Sequence, residues 1–269
     1  MTGLRARRVL LHGAAAIGFI YIFIPLLFVI WLSFYSQEIP SFPPEGYSLR
    51  WYGAMARDKN FLNAFLLSAE LGVIATAIGL AIGVPAAVGL SRARFRGRGL
   101  ANNLLLMPLV IPGVVLGTAL YVFHVEIEIA TEVPILGSLG GLVWGHVLVV
   151  VPWVVRLIGA SLAGFDLTLE EAAQSMGARP FTTFRRVTLP VILPGVVAAA
   201  MFGFVASFGN LEMSLFLVGP GRTTLPIAIL QYLEWKLDPT IAAVSVVQIG
   251  IIAAAMLLTD RFVKISRVV

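Results

Sequence analysis

The chain has 269 residues, of which 59% are hydrophobic and 12% are charged, and it contains no cysteine. A soluble globular domain carries roughly 25% charged residues, so this composition leaves too little polar surface for a water-soluble body. Disulfide scaffolds, thiolate metal sites and thiol nucleophiles are excluded by the absence of cysteine. The composition therefore predicts an all-α polytopic membrane protein, in which about 20 apolar residues per span allow roughly six spans.

Six apolar segments fit that number and are predicted to form one transmembrane domain over residues 1–269. The first, 11–34, is longer than the roughly 7–15-residue apolar region of a signal peptide, so it is interpreted as a retained span. The six predicted spans are 11–34, 61–90, 102–123, 139–163, 191–219 and 241–259.

The distribution of Lys and Arg predicts the orientation of these spans. Thirteen of the nineteen lie on the side of the two termini, five lie on the opposite side, and Arg156 lies within the fourth span. Because short cytoplasmic loops carry an excess of Lys and Arg, both termini are predicted to be cytoplasmic. This topology explains the net charge of +5, so the charge is not interpreted as a sign of nucleic-acid binding. The basic loop with Arg92, Arg94, Arg96 and Arg98 is interpreted as a topology signal that contacts anionic lipid.

The loop between the fourth and fifth predicted spans, 164–190, has the pattern of two short helices. Thr168 and Glu171 have the spacing of a capping box, which predicts a helix with Thr168 as its N-cap. Gly177 suits the left-handed residue that ends a helix, and Pro180 suits the first turn of the next one. Four small or apolar residues are predicted to share one face of the first helix: Leu169, Ala172, Ala173 and Met176. Such a surface would let another protein approach closely, so this loop is interpreted as a docking site.

The same loop resembles a known family motif. Glu171-Ala172-Ala173, then Gly177 six residues after the Glu, then Val187-x-Leu189-Pro190, resemble the EAA motif of bacterial ABC-importer permeases. The six-span layout extends this resemblance across nearly the whole chain. Four further segments are most similar to polyamine-type permeases, although iron, phosphonate and thiamine permeases share similar ones: Ser207-Phe208, Phe216–Pro220, Thr224–Pro226 and Pro239–Ala243.

The resemblance implies the type I ABC importer permease fold in a bacterial inner membrane. It also implies a second permease subunit, identical or related, two ATPase subunits on the cytoplasmic side and a periplasmic substrate-binding protein. The helix of the EAA motif would be the coupling helix, which fits a groove in the ATPase. The residues that this implicates are Leu169, Glu170, Glu171, Ala172, Ala173, Met176, Gly177, Ala178 and Arg179. The chain has no G-x-x-x-x-G-K-[ST] loop, so it is predicted to be non-catalytic and to hold no cofactor, with ATP and Mg bound by the ATPase.

Polar residues within the predicted spans are candidates for the substrate pathway. A charge inside a span costs at least ~2.5–3.5 kcal/mol, so Glu70 and Glu212 are functional hypotheses, and Asn210 is a further candidate. The alternatives are that Glu70 pairs locally with His146, that Glu212 reaches the outer interface, and that Asn210 joins helices. Many polyamine permeases carry acidic residues after Ser-Phe, whereas here Gly209 and Asn210 occupy those positions and the acid is displaced to Glu212. The expected substrate is a polyamine or another small amine-bearing solute, with a monocation, a zwitterion or an amino-acid derivative left open.

Two other function classes are considered. A stand-alone channel or secondary transporter for a cationic solute would use Glu70 and Glu212 but gives no reason for the EAA loop. An intramembrane enzyme would need a constellation of acids or metal ligands, and His12, His124 and His146 lie on different segments without metal-ligand spacing. The sequence leaves open the exact substrate, the choice between homodimer and heterodimer, and whether the permease binds ligand itself.

Overall fold

The computed structural model describes residues 2–93 and 95–263, and within them the chain is almost entirely helical. Arg94, Lys264 and Arg267, which contributed to the predicted orientation, lie outside the described residues. The α-helices are α1 Thr2–Leu32, α2 Arg50–Arg57, α3 Lys59–Arg92, α4 Arg98–Leu106, α5 Gly113–Thr131, α6 Leu139–Ala163, α7 Thr168–Ser175, α8 Pro180–Thr183, α9 Leu189–Phe208, α10 Leu211–Leu217, α11 Leu225–Trp235 and α12 Thr240–Val263. A 3₁₀ turn covers Met107–Leu109, and a π-helical turn covers Phe184–Thr188.

The expectation of six membrane-spanning helices is confirmed in the described residues. Six helical segments are long and apolar enough to cross a membrane: Leu10–Leu32, Lys59–Arg92, Gly113–Thr131, Leu139–Ala163, Pro180–Phe208 and Thr240–Leu257. The all-helical fold class follows from the same architecture.

Two of the predicted spans have different limits in the structure. The segment predicted as a span over 102–123 contains the end of α4, the 3₁₀ turn and only the start of α5. Pro108 and Pro112 lack the backbone N–H that a continuous helix needs, so the chain breaks there. The segment predicted over 191–219 is also divided, because α9 ends at Phe208 and Asn210 caps a separate helix, α10.

The chain forms two compact units. Unit 1 combines Met1–Leu62 with Ile229–Ile251, and unit 2 combines Asn63–Ala228 with Ile252–Val269. In unit 1 the loop after α1 is held by a hydrogen bond of 2.6 Å from the Trp51 indole N–H to the Tyr35 carbonyl. The hydroxyls of Ser33 and Tyr52 also lie 2.7 Å apart. These contacts satisfy polar groups of Tyr and Trp where the apolar helix ends.

Unit 2 is built around α6, whose side chains are the most deeply buried. Val150, Val154 and Ile158 have no exposed surface and pack with residues of α3 and α9. Glycines on the neighbouring helices allow close approach: a Cβ on Gly79 would lie 2.5 Å from a methyl of Val150, and one on Gly83 would lie 2.6 Å from a methyl of Val154. Small residues at helix interfaces are expected in a membrane, because lipid is as apolar as the side chains and close packing drives association.

A buried hydrogen-bond cluster joins three helices of unit 2. The ring nitrogens of His146 on α6 lie 2.9 Å from the Ser207 hydroxyl on α9 and 3.3 Å from the Ser214 hydroxyl on α10. Buried polar groups need such partners, above all where no water can replace them. The suggested pairing of His146 with Glu70 is therefore wrong, since both ring nitrogens already have serine partners.

Candidate functional site

The loop after α6 folds into the two short helices that the sequence predicts, but α7 begins in another way. The predicted capping box is wrong: Leu167 is the N-cap, Thr168 is the first helical residue, and no side chain caps the helix through the Thr168–Glu171 pair. Instead, the Thr168 backbone N–H donates a hydrogen bond of 3.0 Å to the Asp166 carboxylate. This bond lowers the pKa of the Asp166 carboxyl. An Asp two residues before the bonded N–H forms a local turn that competes with capping by Thr.

The bend after α7 has the geometry that the sequence predicts. Gly177 has a φ of +85°, in the left-handed region, which confirms the expectation for this residue. Its N–H donates to the Gln174 carbonyl, and the Ala178 N–H donates to the Ala173 carbonyl, which together form a Schellman motif. Pro180 then opens α8, as expected. The exit of the chain from α7 is thus fixed by backbone hydrogen bonds.

The residues of the α7 region fall on two sides. The outer surface of α7, as we name it, consists of exposed residues: Leu169, Glu171, Ala172, Met176 and Arg179. Met176 is 83% exposed, and Ala178 is half-buried. Ala173 is only 7% exposed and faces the body of unit 2, so its expected place on the docking face is wrong.

The inner side of α7 carries an ion pair that the sequence analysis missed. The Glu170 carboxylate accepts a hydrogen bond of 2.8 Å from the Arg92 guanidinium and another from the Thr188 hydroxyl. The Arg92 guanidinium also lies over the Phe165 ring, 4.8 Å from its centre. Glu170 therefore points away from the outer surface, and Arg92 contacts protein where lipid contact was expected. The ion-paired residues are 78 positions apart, so no local sequence pattern could have joined them.

The structure gives the three pathway candidates different environments. Glu70 on α3 and Glu212 on α10 are exposed, and within the described chain neither carboxylate takes part in an ion pair. Asn210 is the N-cap of α10, and its side-chain oxygen accepts a hydrogen bond of 2.8 Å from the Met213 N–H. Asn210 thus caps the start of α10, a role that the sequence analysis did not consider.

The Glu212 carboxylate lies at the start of α5. A Cβ on Gly113, the first residue of α5, would lie 1.5 Å from a carboxylate oxygen of Glu212. One turn further on, a Cβ on Gly117 would lie 2.7 Å from the Phe216 ring. The two glycines therefore let α10 pack directly on α5. A carboxylate is favourable at this position because a helix N-terminus carries partial positive charge.

No metal-binding cluster is found in the part of the chain that the structure describes. Within residues 2–93 and 95–263, no three His, Asp or Glu residues come together as metal ligands would. The arrangement instead offers a short exposed helix for contact with another protein, an ion pair that fixes it, and two carboxylates outside any ion pair of the described residues.

Curated relatives share most of this chain. The putrescine transport system permease protein PotI of Escherichia coli (strain K12) is 31% identical over 235 residues, which cover 87% of this chain and 83% of the relative. The spermidine/putrescine transport system permease protein PotC of the same strain is 27% identical, with 95% and 94% covered. A probable molybdenum ABC transporter permease protein of Haloferax volcanii is 36% identical, with 73% and 74% covered.

Solved structures share the fold. A bacterial ABC transporter involved in the import of alginate matches with a TM-score of 0.74 at 15% sequence identity, covering 96% of both chains. The MetNI methionine ABC transporter, in an inward-facing conformation, matches with a TM-score of 0.63 at 21% identity, covering 78% of this chain and 96% of that one.

The family assignment rests on a family model as well as on these relatives. The model described as binding-protein-dependent transport system inner membrane component matches residues 75–267. That range includes α7, the Schellman motif and Leu189-Pro190. The resemblance to ABC-importer permeases, and to the polyamine type among them, is confirmed by these matches. The chain belongs to the family of inner membrane components of binding-protein-dependent transport systems.

Proposed function

We propose that this chain forms half of the substrate pathway of an ATP-driven importer, and that the outer surface of α7 docks on the ATPase. The chain is a multi-pass inner-membrane permease subunit and is itself non-catalytic. The observation that carries the proposal is the outer surface of α7, whose apolar and small residues are exposed within the described chain. Exposed apolar groups on a fixed helix are typical of a protein interface.

The family and the solved relatives support the proposed partners. The family depends by its description on a binding protein, and the alginate transporter has been solved in complex with its periplasmic protein. We propose a second permease subunit, identical or related, two ATPase subunits that hold ATP and Mg, and a periplasmic binding protein. A stand-alone channel or secondary transporter would need no binding protein, so membership of this family argues against that alternative.

The proposed substrate is a polyamine or another small amine-bearing solute. Two relatives transport putrescine or spermidine according to their names, and they cover most of this chain. Glu212 and Glu70 supply exposed carboxylates on helices of unit 2, where a passing cation is attracted without being trapped. Asn210 is left out of the proposed pathway because its side-chain oxygen caps α10.

The first prediction tests docking through Gly177. No atom lies within 4 Å of the position that a Cβ would take there, so a substitution acts only through the left-handed backbone. Gly177→Val strains that conformation by about 1 kcal/mol or more and changes the exit angle of α7. We expect normal membrane insertion, loss of co-purifying ATPase and loss of ATP-dependent putrescine uptake in proteoliposomes that contain the whole transporter.

Gly177→Asn is the matched control, because Asn tolerates the left-handed conformation better than other side chains. This variant should keep most of the uptake. Wild-type uptake and ATPase binding by Gly177→Val would refute the docking role of α7.

A further inference from the structure

We propose that Arg92, Glu170 and Thr188 form a latch that fixes α7 to the ends of α3 and α9, and through which movement of α7 reaches the membrane spans. The inference rests on the proposed docking function of α7, because the latch transmits movement to the spans only if the docked ATPase moves that helix. It assigns a positioning role to three residues, none of which lies on the outer surface of α7.

The latch joins three separate elements. Arg92 is the last residue of α3, Glu170 lies in the first turn of α7, and Thr188 lies directly before α9. One carboxylate oxygen of Glu170 accepts from both the Arg92 guanidinium and the Thr188 hydroxyl. A single side chain of the short helix therefore connects the ends of two long helices.

Burial makes this ion pair different from a surface pair. The side chains of Arg92 and Glu170 are 22% and 16% exposed, and Thr188 is buried. The Phe165 ring covers one face of the guanidinium. Shielding from solvent strengthens charge-assisted hydrogen bonds, and losing one partner leaves the other charge uncompensated.

The helix ends favour this arrangement of charges. A cation is stabilised at the C-terminus of α3 and an anion at the N-terminus of α7, so each charge of the pair suits its own helix. The other charged pair of the described residues, Arg50 with Glu38, spans 4.0 Å between side chains that are 48% and 78% exposed. Among the described residues, only the Arg92–Glu170 pair thus combines a short distance with burial.

An eight-residue helix needs such an anchor if it is to transmit force. Isolated helices of this length are marginal, so the position of α7 depends on its tertiary contacts. Ala173 supplies an apolar contact, which would allow α7 to slide along unit 2. The hydrogen bonds of the latch, in contrast, fix the direction and distance of α7 relative to the ends of α3 and α9.

The first arm of the test measures the position of α7 without any ATPase or substrate. The chain has no cysteine, so spin labels are placed only at Gly89→Cys on α3 and Met176→Cys after α7, both exposed positions. Distance distributions are recorded for the full chain in lipid nanodiscs. We expect one narrow distribution in the parent, and at least about twofold broadening in Arg92→Gln or Glu170→Gln.

The double variant Arg92→Gln/Glu170→Gln decides whether the two residues act as one unit. It should broaden the distribution no more than either single change, as coupled residues do. Arg186→Gln removes a nearby exposed arginine and is the matched control, expected to match the parent. An unchanged distribution in Arg92→Gln, or additive broadening in the double variant, would overturn the latch.

The second arm measures coupling in the complete transporter, with putrescine as the transported probe. Uptake per ATP hydrolysed should fall roughly fivefold in either single variant and equally in the double variant, while the ATPase still co-purifies. If the docking function is wrong, Gly177→Val keeps its ATPase whatever the spin labels report. If only the latch is wrong, Gly177→Val loses its ATPase and the latch variants transport like the parent.

Discussion

Glu212 is a carboxylate with an observed packing position and a proposed role in transport. It lies in the first turn of α10 and against the first residue of α5, so two helix N-termini stabilise its charge. Its side chain is nevertheless exposed, and no ion pair within the described chain neutralises it. A charge that is held in place and left unpaired is suited to meet a cation that moves past it.

Glu212→Gln separates these two roles, because it keeps the shape and removes the charge. A carboxylate about 4 Å from a cation contributes ~1–4 kcal/mol, so we expect putrescine uptake to slow several-fold. ATP hydrolysis should persist, since Glu212 lies on α10 and is not part of the outer surface of α7 that is proposed to dock on the ATPase. The measurement is uptake by reconstituted transporter at matched protein levels.

Glu126→Gln is the control for this substitution, because it neutralises another exposed carboxylate, on α5. It should leave uptake unchanged. Equal uptake by Glu212→Gln and the parent would show that Glu212 only stabilises helix ends and would remove the main support for a cationic substrate.

Helix packing in unit 2 depends on glycines at four-residue spacing. Gly79 and Gly83 of α3 face Val150 and Val154 of α6, and each lacks space for a Cβ. The same spacing recurs at Gly113 and Gly117 of α5, which face α10. In lipid the hydrophobic effect does not drive helices together, so the van der Waals contacts of such close packing stabilise their association instead.

Gly83→Leu should therefore destabilise unit 2. Its Cβ alone would lie 2.8 Å from the Val154 Cβ, so the helices must separate, and overpacking of this kind costs about 1–3 kcal/mol. We expect a lower thermal midpoint for the detergent-solubilised chain.

Gly89→Leu is the matched control, because it adds the same side chain on the same helix where nothing lies within 4 Å. It also removes a helix-destabilising glycine, so its midpoint should equal or exceed that of the parent. A Gly83→Leu midpoint equal to that of Gly89→Leu would contradict the close α3–α6 packing.

Local signals in the sequence predicted some elements and missed others for identifiable reasons. Gly177 and Pro180 were placed correctly, because each has a backbone requirement that few residues meet. Thr168 was misplaced as a cap because Asp166 nearby accepts the N–H bond instead. The two divided spans were missed because hydropathy continues across Pro112 and Asn210, where the helical hydrogen bonding does not.

Contacts between residues far apart in the chain could not be predicted from local sequence patterns. The outer surface of α7 was largely predicted from its spacing, but helical periodicity alone did not separate Ala173 and Glu170 from it. The position of Glu170 is set by α3 and by the chain before α9, through Arg92 and Thr188. The family motif identified α7 from the sequence, whereas the contacts that fix its position are visible only in the folded chain.

Charge asymmetry is the property of the whole molecule from which its orientation in the membrane is predicted. Thirteen of nineteen basic residues fall on one side of the predicted topology, which predicts that this side faces the cytoplasm. The docking proposal requires α7 on that same side, because ATP and the ATPase are cytoplasmic. If the predicted orientation is wrong, the docking proposal is therefore wrong as well.

Single cysteines in this cysteine-free chain test the orientation. Phe42 and Trp235 are 83% and 85% exposed, in segments predicted to be periplasmic, and Met176 is 83% exposed beside α7. In intact cells, an impermeant maleimide should label Phe42→Cys and Trp235→Cys, while Met176→Cys should react only after the membrane is opened. When the chain is expressed without the ATPase, all three positions are comparably exposed, so differences in labelling report sidedness rather than accessibility within the protein. Labelling of Met176→Cys in intact cells would place α7 in the periplasm, where it has no ATPase to meet, and would refute both the orientation and the docking role.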